Sequence, residues 1–238
     1  MKNFMFVTLA ILAGICTFFS SCFVMPIIGN GEMETTNRTV SSFKKVSISG
    51  SADMYYHRSQ EYRVEVTIDS NLIEYLEIKD WGNTLDVGLK PGYSYNYTKM
   101  IIDIYCPEIT GVTISGSGRF TSEEVITVSK FEVTVSGSGK IDAEIETEYF
   151  NVTISGSGKV DVTGTSNNLN TTISGSGSLY CSNLSVNDAT IKITGSGNAN
   201  IHVTDTLKVT ITGSGNIKYY GNPSISSSIT GSGKIQKM

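Results

Sequence analysis

Asp142 and Asp161 stand 19 residues apart, each five residues after the first glycine of a Gly-Ser-Gly tripeptide. If those tripeptides stack, the two carboxylates face each other at about 5 Å, the separation at which retaining glycosidases place acid and nucleophile. Paired carboxylates on a repetitive β surface can also hold calcium through oxygen ligands. The same column continues, however, as Thr121, Tyr180, Asn200, Lys218 and Gln236, and Lys140 and Lys159 stand two residues before the aspartates. Two acidic rungs, each with a cation beside it, read as a neutralised surface. No catalytic residue and no metal ligand is assigned to them.

Tyr93, Tyr95 and Tyr97 alternate after Pro91-Gly92, so an extended strand would point all three rings to one side. Such a row can stack on sugar rings and donate phenolic hydrogen bonds, and it is the candidate ligand-binding feature. The competing reading is a row that packs on the first coil of the fold. His57 and His202 are 145 residues apart with no ligand spacing of a zinc site around either, and they read as surface residues. A Gly-Ser-rich loop cradles phosphate only with a helix N-terminus or a placed lysine, and neither accompanies these tripeptides. With 18 basic and 22 acidic residues, a net charge of −4 and no basic block, binding to nucleic acid is excluded as a function class. No cofactor motif occurs.

The elements that would position these residues are set by a repeat. Fourteen of the 24 glycines lie in seven Gly-Ser-Gly copies beginning at Gly116, Gly137, Gly156, Gly175, Gly195, Gly213 and Gly231, at intervals of 18 to 21 residues. Two residues before each stands a β-branched aliphatic residue: Ile114, Val135, Ile154, Ile173, Ile193, Ile211 and Ile229. Four residues after each stands another apolar one: Phe120, Ile141, Val160, Leu179, Ala199, Ile217 and Ile235. Between them lies a polar column of Thr113, Thr134, Thr153, Thr172, Lys192, Thr210 and Ser228. This period of two marks half-buried strands entering and leaving each tripeptide.

Strands at this spacing leave no room for crossover helices, and no window has a helical period. A chain that returns the same residue type to the same place stacks each coil about 4.8 Å from the last. The fold class is therefore all-β, a parallel β-helix or solenoid of about seven coils over residues 111–238, with an antiparallel sandwich as the runner-up. A stacked bend must use positive φ or a close backbone approach, which explains the repeated glycine, and flanking serines such as Ser115 and Ser117 can satisfy corner backbone groups. About three coils, roughly 15 Å, separate Cys106 from Cys181, too far for a disulfide, so both are expected unpaired with Cys181 inward.

Residues 40–110 differ. Val40 to Ala52, with Ser49-Gly50-Ser51-Ala52, reads as a degenerate coil 66 residues before the first full corner, and 62–68, 84–89 and 100–105 alternate as strands. Eight of the 12 tyrosines and the single tryptophan fall between Tyr55 and Tyr105, so aromatic side chains are expected to fill an N-terminal β cap over the open strand edge. At the far end the chain shows no matching cap. Self-association through the C-terminal coil, or blunting of it by Lys234 and Lys237, is expected.

Lys2, the apolar run from Phe4 to Phe19 and Ser20-Ser21-Cys22 are arranged as a secretory signal too short to span a membrane comfortably. The segment resembles a bacterial lipoprotein signal over residues 1–21, with Cys22 as the acylated first residue of the mature chain. Phe19, where leucine is usual, and Cys16 within the run depart from that pattern, and the alternative is an ordinary cleaved signal followed by an incidental cysteine. Residues 22–39 show no period and read as a tether.

The Ser-Gly-Ser-Gly corners followed by Lys-Ile-Asp-Ala or Lys-Val-Asp-Val, together with Val-Glu-Val-Thr-Ile-Asp-Ser-Asn-Leu and Ile-Ile-Asp-Ile-Tyr-Cys-Pro-Glu-Ile, resemble the putative auto-transporter adhesin head domain, also called the head GIN domain. The resemblance runs from about Phe43 to Ile235. It implies a right-handed β-helix on a cell-envelope protein and carries no catalytic residue. The combined expectation is a non-enzymatic, lipid-anchored envelope protein, with the outer membrane favoured, that binds a glycan or a surface protein. The alternatives are a carbohydrate-active β-helix enzyme and a purely structural envelope protein.

Overall fold

The computed structural model describes residues 25–238. Cys22 and the signal segment lie outside the described residues. In chain order the strands are β1 (Ile27–Ile28), β2 (Met33–Thr39), β3 (Lys45–Gly50), β4 (Asp53–Arg58), β5 (Arg63–Asp69), β6 (Leu76–Trp81), β7 (Thr84–Leu89), β8 (Tyr95–Asn96), β9 (Ile101–Cys106) and β10 (Gly111–Gly116), with a 3₁₀ turn over Ser70–Tyr75. There follow β11 (Arg119–Ser122), β12 (Ile126–Gly137), β13 (Lys140–Gly156), β14 (Lys159–Gly175), β15 (Ser178–Gly195), β16 (Asn198–Gly213), β17 (Asn216–Tyr220), β18 (Ser224–Gly231) and β19 (Lys234–Lys237).

Alternation builds each coil. In β13, Ile141, Ala143 and Ile145 are buried; the phase slips at Glu148-Tyr149, and Phe150, Val152 and Ile154 are buried on a second arm. The first arm turns Lys140, Asp142, Glu144 and Glu146 outward, the second Asn151, Thr153 and Ser155. Successive coils pair in parallel and in register, with Gly116, Gly137, Gly156, Gly175, Gly195, Gly213 and Gly231 stacked in one column. The fold is thus the β-solenoid expected from the repeat. Parallel pairing rules out the hairpins of a sandwich. The two apolar columns form a continuous core in which the aliphatic residues before the corners are fully buried from Ile114 to Ile211, and Phe131 stacks on Phe150 with centroids 6.0 Å apart.

The two glycines of a corner serve different ends. Gly156 has φ +114°, and a Cβ there would lie 2.6 Å from the Gly137 carbonyl oxygen of the coil below. Gly158 has no such φ but is buried, and a Cβ on it would lie 2.5 Å from Val135 Cγ1. Between them the Ser157 N–H donates to the Gly137 carbonyl at 2.8 Å, and Lys159 N–H donates to the Gly139 carbonyl at 2.9 Å. The corner is a hydrogen-bonded ladder with no space for a side chain on its inner surface.

The degenerate copy is a true coil. β3 and β4 stack in parallel beneath β10 and β11, with Gly50 opposite Gly116. The 66-residue interval arises because the chain leaves after β4, builds the cap, and returns at β10. Within the cap β7 and β9 form one further parallel rung under β3 and β4. Antiparallel strands then close it: β6 on β7, β5 on β9, and β2 on β5.

Two expectations change here. Met33–Thr39, read as tether, is strand β2, paired along its whole length with β5; its hydroxyl and charged side chains hid it from a search for apolar alternation because it is an exposed edge strand. The cap is aromatic-rich but is filled by aliphatic residues such as Val66, Ile68, Leu72, Val87 and Ile102, while Trp81 is 68 % exposed at the tip of the β6–β7 hairpin. Cys106 and Cys181 are free and buried, as expected, and burial pushes the Cys106 thiol up to about 12 and raises the Cys181 thiol as well. At the other end, β18 and β19 lie on β16 and β17, and Ile225 and Ile229 are 41 % and 40 % exposed where the equivalent residues of earlier coils are buried.

Candidate functional site

A cavity of about 550 Å³ opens on the flank of the cap, within the range of small-ligand pockets. Tyr93, Tyr95 and Tyr97 all line it, with Glu77, Lys79, Asp86 and Lys90, and its floor is the degenerate corner Ser49-Gly50-Ser51. The expected row of three rings on one extended strand is only partly realised. Just Tyr95 and Asn96 are strand, pairing in parallel with β1, and Tyr93 sits in the preceding turn.

The three tyrosines take separate roles. Tyr93 and Tyr95 lean against Tyr75, with centroids 5.6 and 5.8 Å away and edge-on geometry, while Tyr93 remains 55 % exposed. Tyr95 donates its hydroxyl to the Lys90 carbonyl at 2.8 Å. Burial first, then neighbouring Tyr93, Tyr75 and Glu77, raises its phenol above the ordinary value, so it is neutral at physiological pH. Tyr97 packs on the first coil and accepts a hydrogen bond from the Ser51 N–H at 3.2 Å. In every later coil that corner N–H finds the glycine carbonyl of the coil below. The β7–β9 rung beneath Ser51 has no glycine corner, and the Tyr97 hydroxyl takes the place of the carbonyl.

The polar wall was not legible in the sequence. β6 and β7 form a hairpin across Gly82-Asn83 in which Lys79 faces Asp86, and Glu77 lies on the same side two residues before Lys79. Lys79 Nζ is 2.8 Å from Glu77 Oε2. Opposite charges at such spacing occur on any solvated hairpin. The one usable signal was Gly82-Asn83, which stands at a tight turn with φ +70° at Gly82.

The acidic pair lies elsewhere. Asp142 and Asp161 are in register on adjacent coils, and Lys159 Nζ is 3.1 Å from Asp161 and 4.6 Å from the centre of the Tyr180 ring. The cation between carboxylate and ring neutralises the surface. Among the described residues there is no group of three His, Cys, Asp or Glu side chains arranged to hold a metal. His57 is not a bare surface residue: its Nε2 is 2.8 Å from Asp103 Oδ1 and its ring stacks on Tyr105, with Arg63 3.8 Å over the other ring. His202 makes no comparable cluster.

A stack of parallel coils with a tyrosine-lined cavity on its closed end defines a repeat-built β-solenoid of the kind that presents long faces to partners. The chain belongs to the family described as putative auto-transporter adhesin, head GIN domain, whose model matches residues 42–223. Similar solved structures include a putative adhesin from Bacteroides fragilis (25 % identity, TM-score 0.84, covering 89 % of this chain and 100 % of that one). Another, from Parabacteroides distasonis, is named a putative lipid binding protein (29 % identity, TM-score 0.76, 90 % and 100 % covered). A third is a putative adhesin from Parabacteroides merdae (27 % identity, TM-score 0.72, 89 % and 98 % covered). No curated protein sequence matches the chain. The family indicates a bacterial envelope or surface role, and no helix among the described residues is long and apolar enough to cross a membrane.

Proposed function

We propose that this protein is a non-enzymatic surface-interaction module, lipid-anchored through Cys22 in the cell envelope with the outer membrane favoured, which binds a glycan in the cap cavity. The observation that carries the reading is the convergence of Tyr93, Tyr95 and Tyr97 with Glu77, Lys79 and Asp86 around one opening. Aromatic faces take the apolar side of a sugar ring, and the ring of charged and phenolic groups takes its hydroxyls. Lipid binding, named for one structural neighbour, is less suited to this chain: the coil interior is filled by side chains such as Phe131, Phe150 and Ile154, and the cap cavity is ringed by charge.

The full chain applied to an array of neutral and acidic glycans should bind a subset of them, and calorimetric titration with those glycans should give saturable heat. Tyr93→Ala with Tyr95→Ala should weaken binding at least about tenfold, since each stacking contact contributes roughly 1 kcal/mol beyond its buried area. Unchanged glycan affinity in that variant would reject the cavity as the site. Cys22→Ala should release the protein from the membrane fraction, and continued membrane retention would reject the anchor.

A further inference from the structure

One face of the solenoid is restricted in a way the fold does not require. Eight stacked coils, counting the one at Gly50, each turn three residues outward around the corner: the third and first before the glycine, and the serine after it. Of these 24 side chains every one is serine or threonine except Lys192. They run from Ser47, Ser49 and Ser51 to Ser228, Thr230 and Ser232, exposed or half-exposed, and no side-chain hydrogen bond within the described protein engages those hydroxyls. Outward strand positions need only be polar, and the other arm of the same coils uses lysine, aspartate and glutamate freely, as in β13. Strand propensity explains threonine but not serine.

The ladder has a defined end. Its first rung, Ser49-Gly50-Ser51, is the floor of the cap cavity beneath Tyr97. Hydroxyl rows repeating every ~4.8 Å along the axis, with ~6.6 Å between rows on the strand, therefore run directly into the tyrosine-lined opening. We infer that cavity and ladder form one track for an extended neutral polysaccharide, its end seated among the tyrosines and its chain lying along the coils. Uncharged hydroxyls that both donate and accept match a polyhydroxylated polymer without the desolvation penalty of unpaired charge, and a periodic chain can offer the same group to coil after coil. The cavity end of this track rests on the function proposed above; the ladder does not.

The test uses the full chain with linear oligomers of two to eight units of β-1,4-glucan, β-1,4-mannan and β-1,4-N-acetylglucosamine, and with uronic acid oligomers as charged controls. Affinity for at least one neutral series should rise about tenfold or more with length, little affected by salt, since each added unit gains weak hydrogen bonds on a pre-ordered surface. Thr134→Val, Thr153→Val and Thr172→Val together should abolish the gain with length and leave the disaccharide unaffected; Ser155→Ala with Ser174→Ala serves if the first variant is unstable. Length-independent binding, or a gain with length that survives both variants, overturns the ladder and leaves the cavity reading intact. Length-dependent binding that is lost in the ladder variants but unmoved by Tyr93→Ala with Tyr95→Ala supports the ladder and rejects the cavity. Absence of binding to all three neutral series overturns the track.

Discussion

Gly156 and Asp161 lie five residues apart in the same coil and sit at opposite extremes of tolerance. Alanine at Gly156 must adopt φ +114° and drive its Cβ against a backbone carbonyl that is itself a ladder acceptor. Strain of ~1–2 kcal/mol from the backbone and ~1–3 from overpacking place Gly156→Ala at about 2–5 kcal/mol of destabilisation. Asp161→Asn removes one exposed ion pair and should stay within about 0.5 kcal/mol. Denaturant unfolding of the two variants separates them, and equal loss would contradict the stacked corner. Thr171 offers the opposite experiment. It is buried in a column between Val152 and Ile191, and its hydroxyl has no hydrogen-bond partner. Thr171→Val keeps the β-branched shape and removes an unpaired buried group, so a gain of about 1–2 kcal/mol is expected, seen as a rise of roughly 2–6 °C in Tm.

At the scale of elements, the cap depends on one carboxylate that ties the β1–β2 and β8–β9 connections to the end of β5. The Asp69 carboxylate at the end of β5 is fully buried and accepts hydrogen bonds from the Gly31 N–H at 2.7 Å, the Thr98 N–H at 2.8 Å and the Thr98 hydroxyl at 3.0 Å. Burial works against its ionisation, but these donors outweigh it and hold the carboxyl below the usual carboxylate range. A folded pKa below the unfolded one gives stability that is present above about pH 4 and lost as pH falls through the folded value. Protection of the β1 and β2 amides, referred to their intrinsic exchange rate at each pH, should therefore fall on acidification before the repeat coils respond, and Asp69→Asn should show the same loss of protection at neutral pH. Uniform exchange along the chain would contradict a local latch. The strands held this way were the hardest to read: β2 is an exposed edge whose partner, β5, is 30 residues away, whereas β10 to β19 each repeat a pattern visible within one coil.

For the whole molecule, the two ends are chemically unlike. Antiparallel strands and the Tyr97 hydroxyl close the N-terminal end, while β18 and β19 leave Ile225 and Ile229 part-exposed. Lys237 Nζ reaches Asn222 Oδ1 at 2.5 Å, and Lys234 is exposed, so charge only partly blunts that end. Self-association of the protein through this coil is expected at high concentration, and Ile225→Lys with Ile229→Lys should shift sedimentation velocity profiles to the smaller species. Profiles unaffected by the substitutions would exclude that end as the contact.

The sequence by itself determined the coil: its length, its two buried columns, its glycine corners, the unpaired cysteines and the family. Each follows from local alternation and from a tripeptide that only one stacked bend requires. It also singled out Tyr93, Tyr95 and Tyr97, because their spacing is local. Only the tertiary structure brought Glu77, Lys79 and Asp86 to those rings, turned Met33–Thr39 into a strand, and set the hydroxyl ladder end-on to the cavity. Those relations join segments through antiparallel pairing and through stacking across a 66-residue excursion, and hydrogen bonding between distant backbones leaves no period in the chain that makes it.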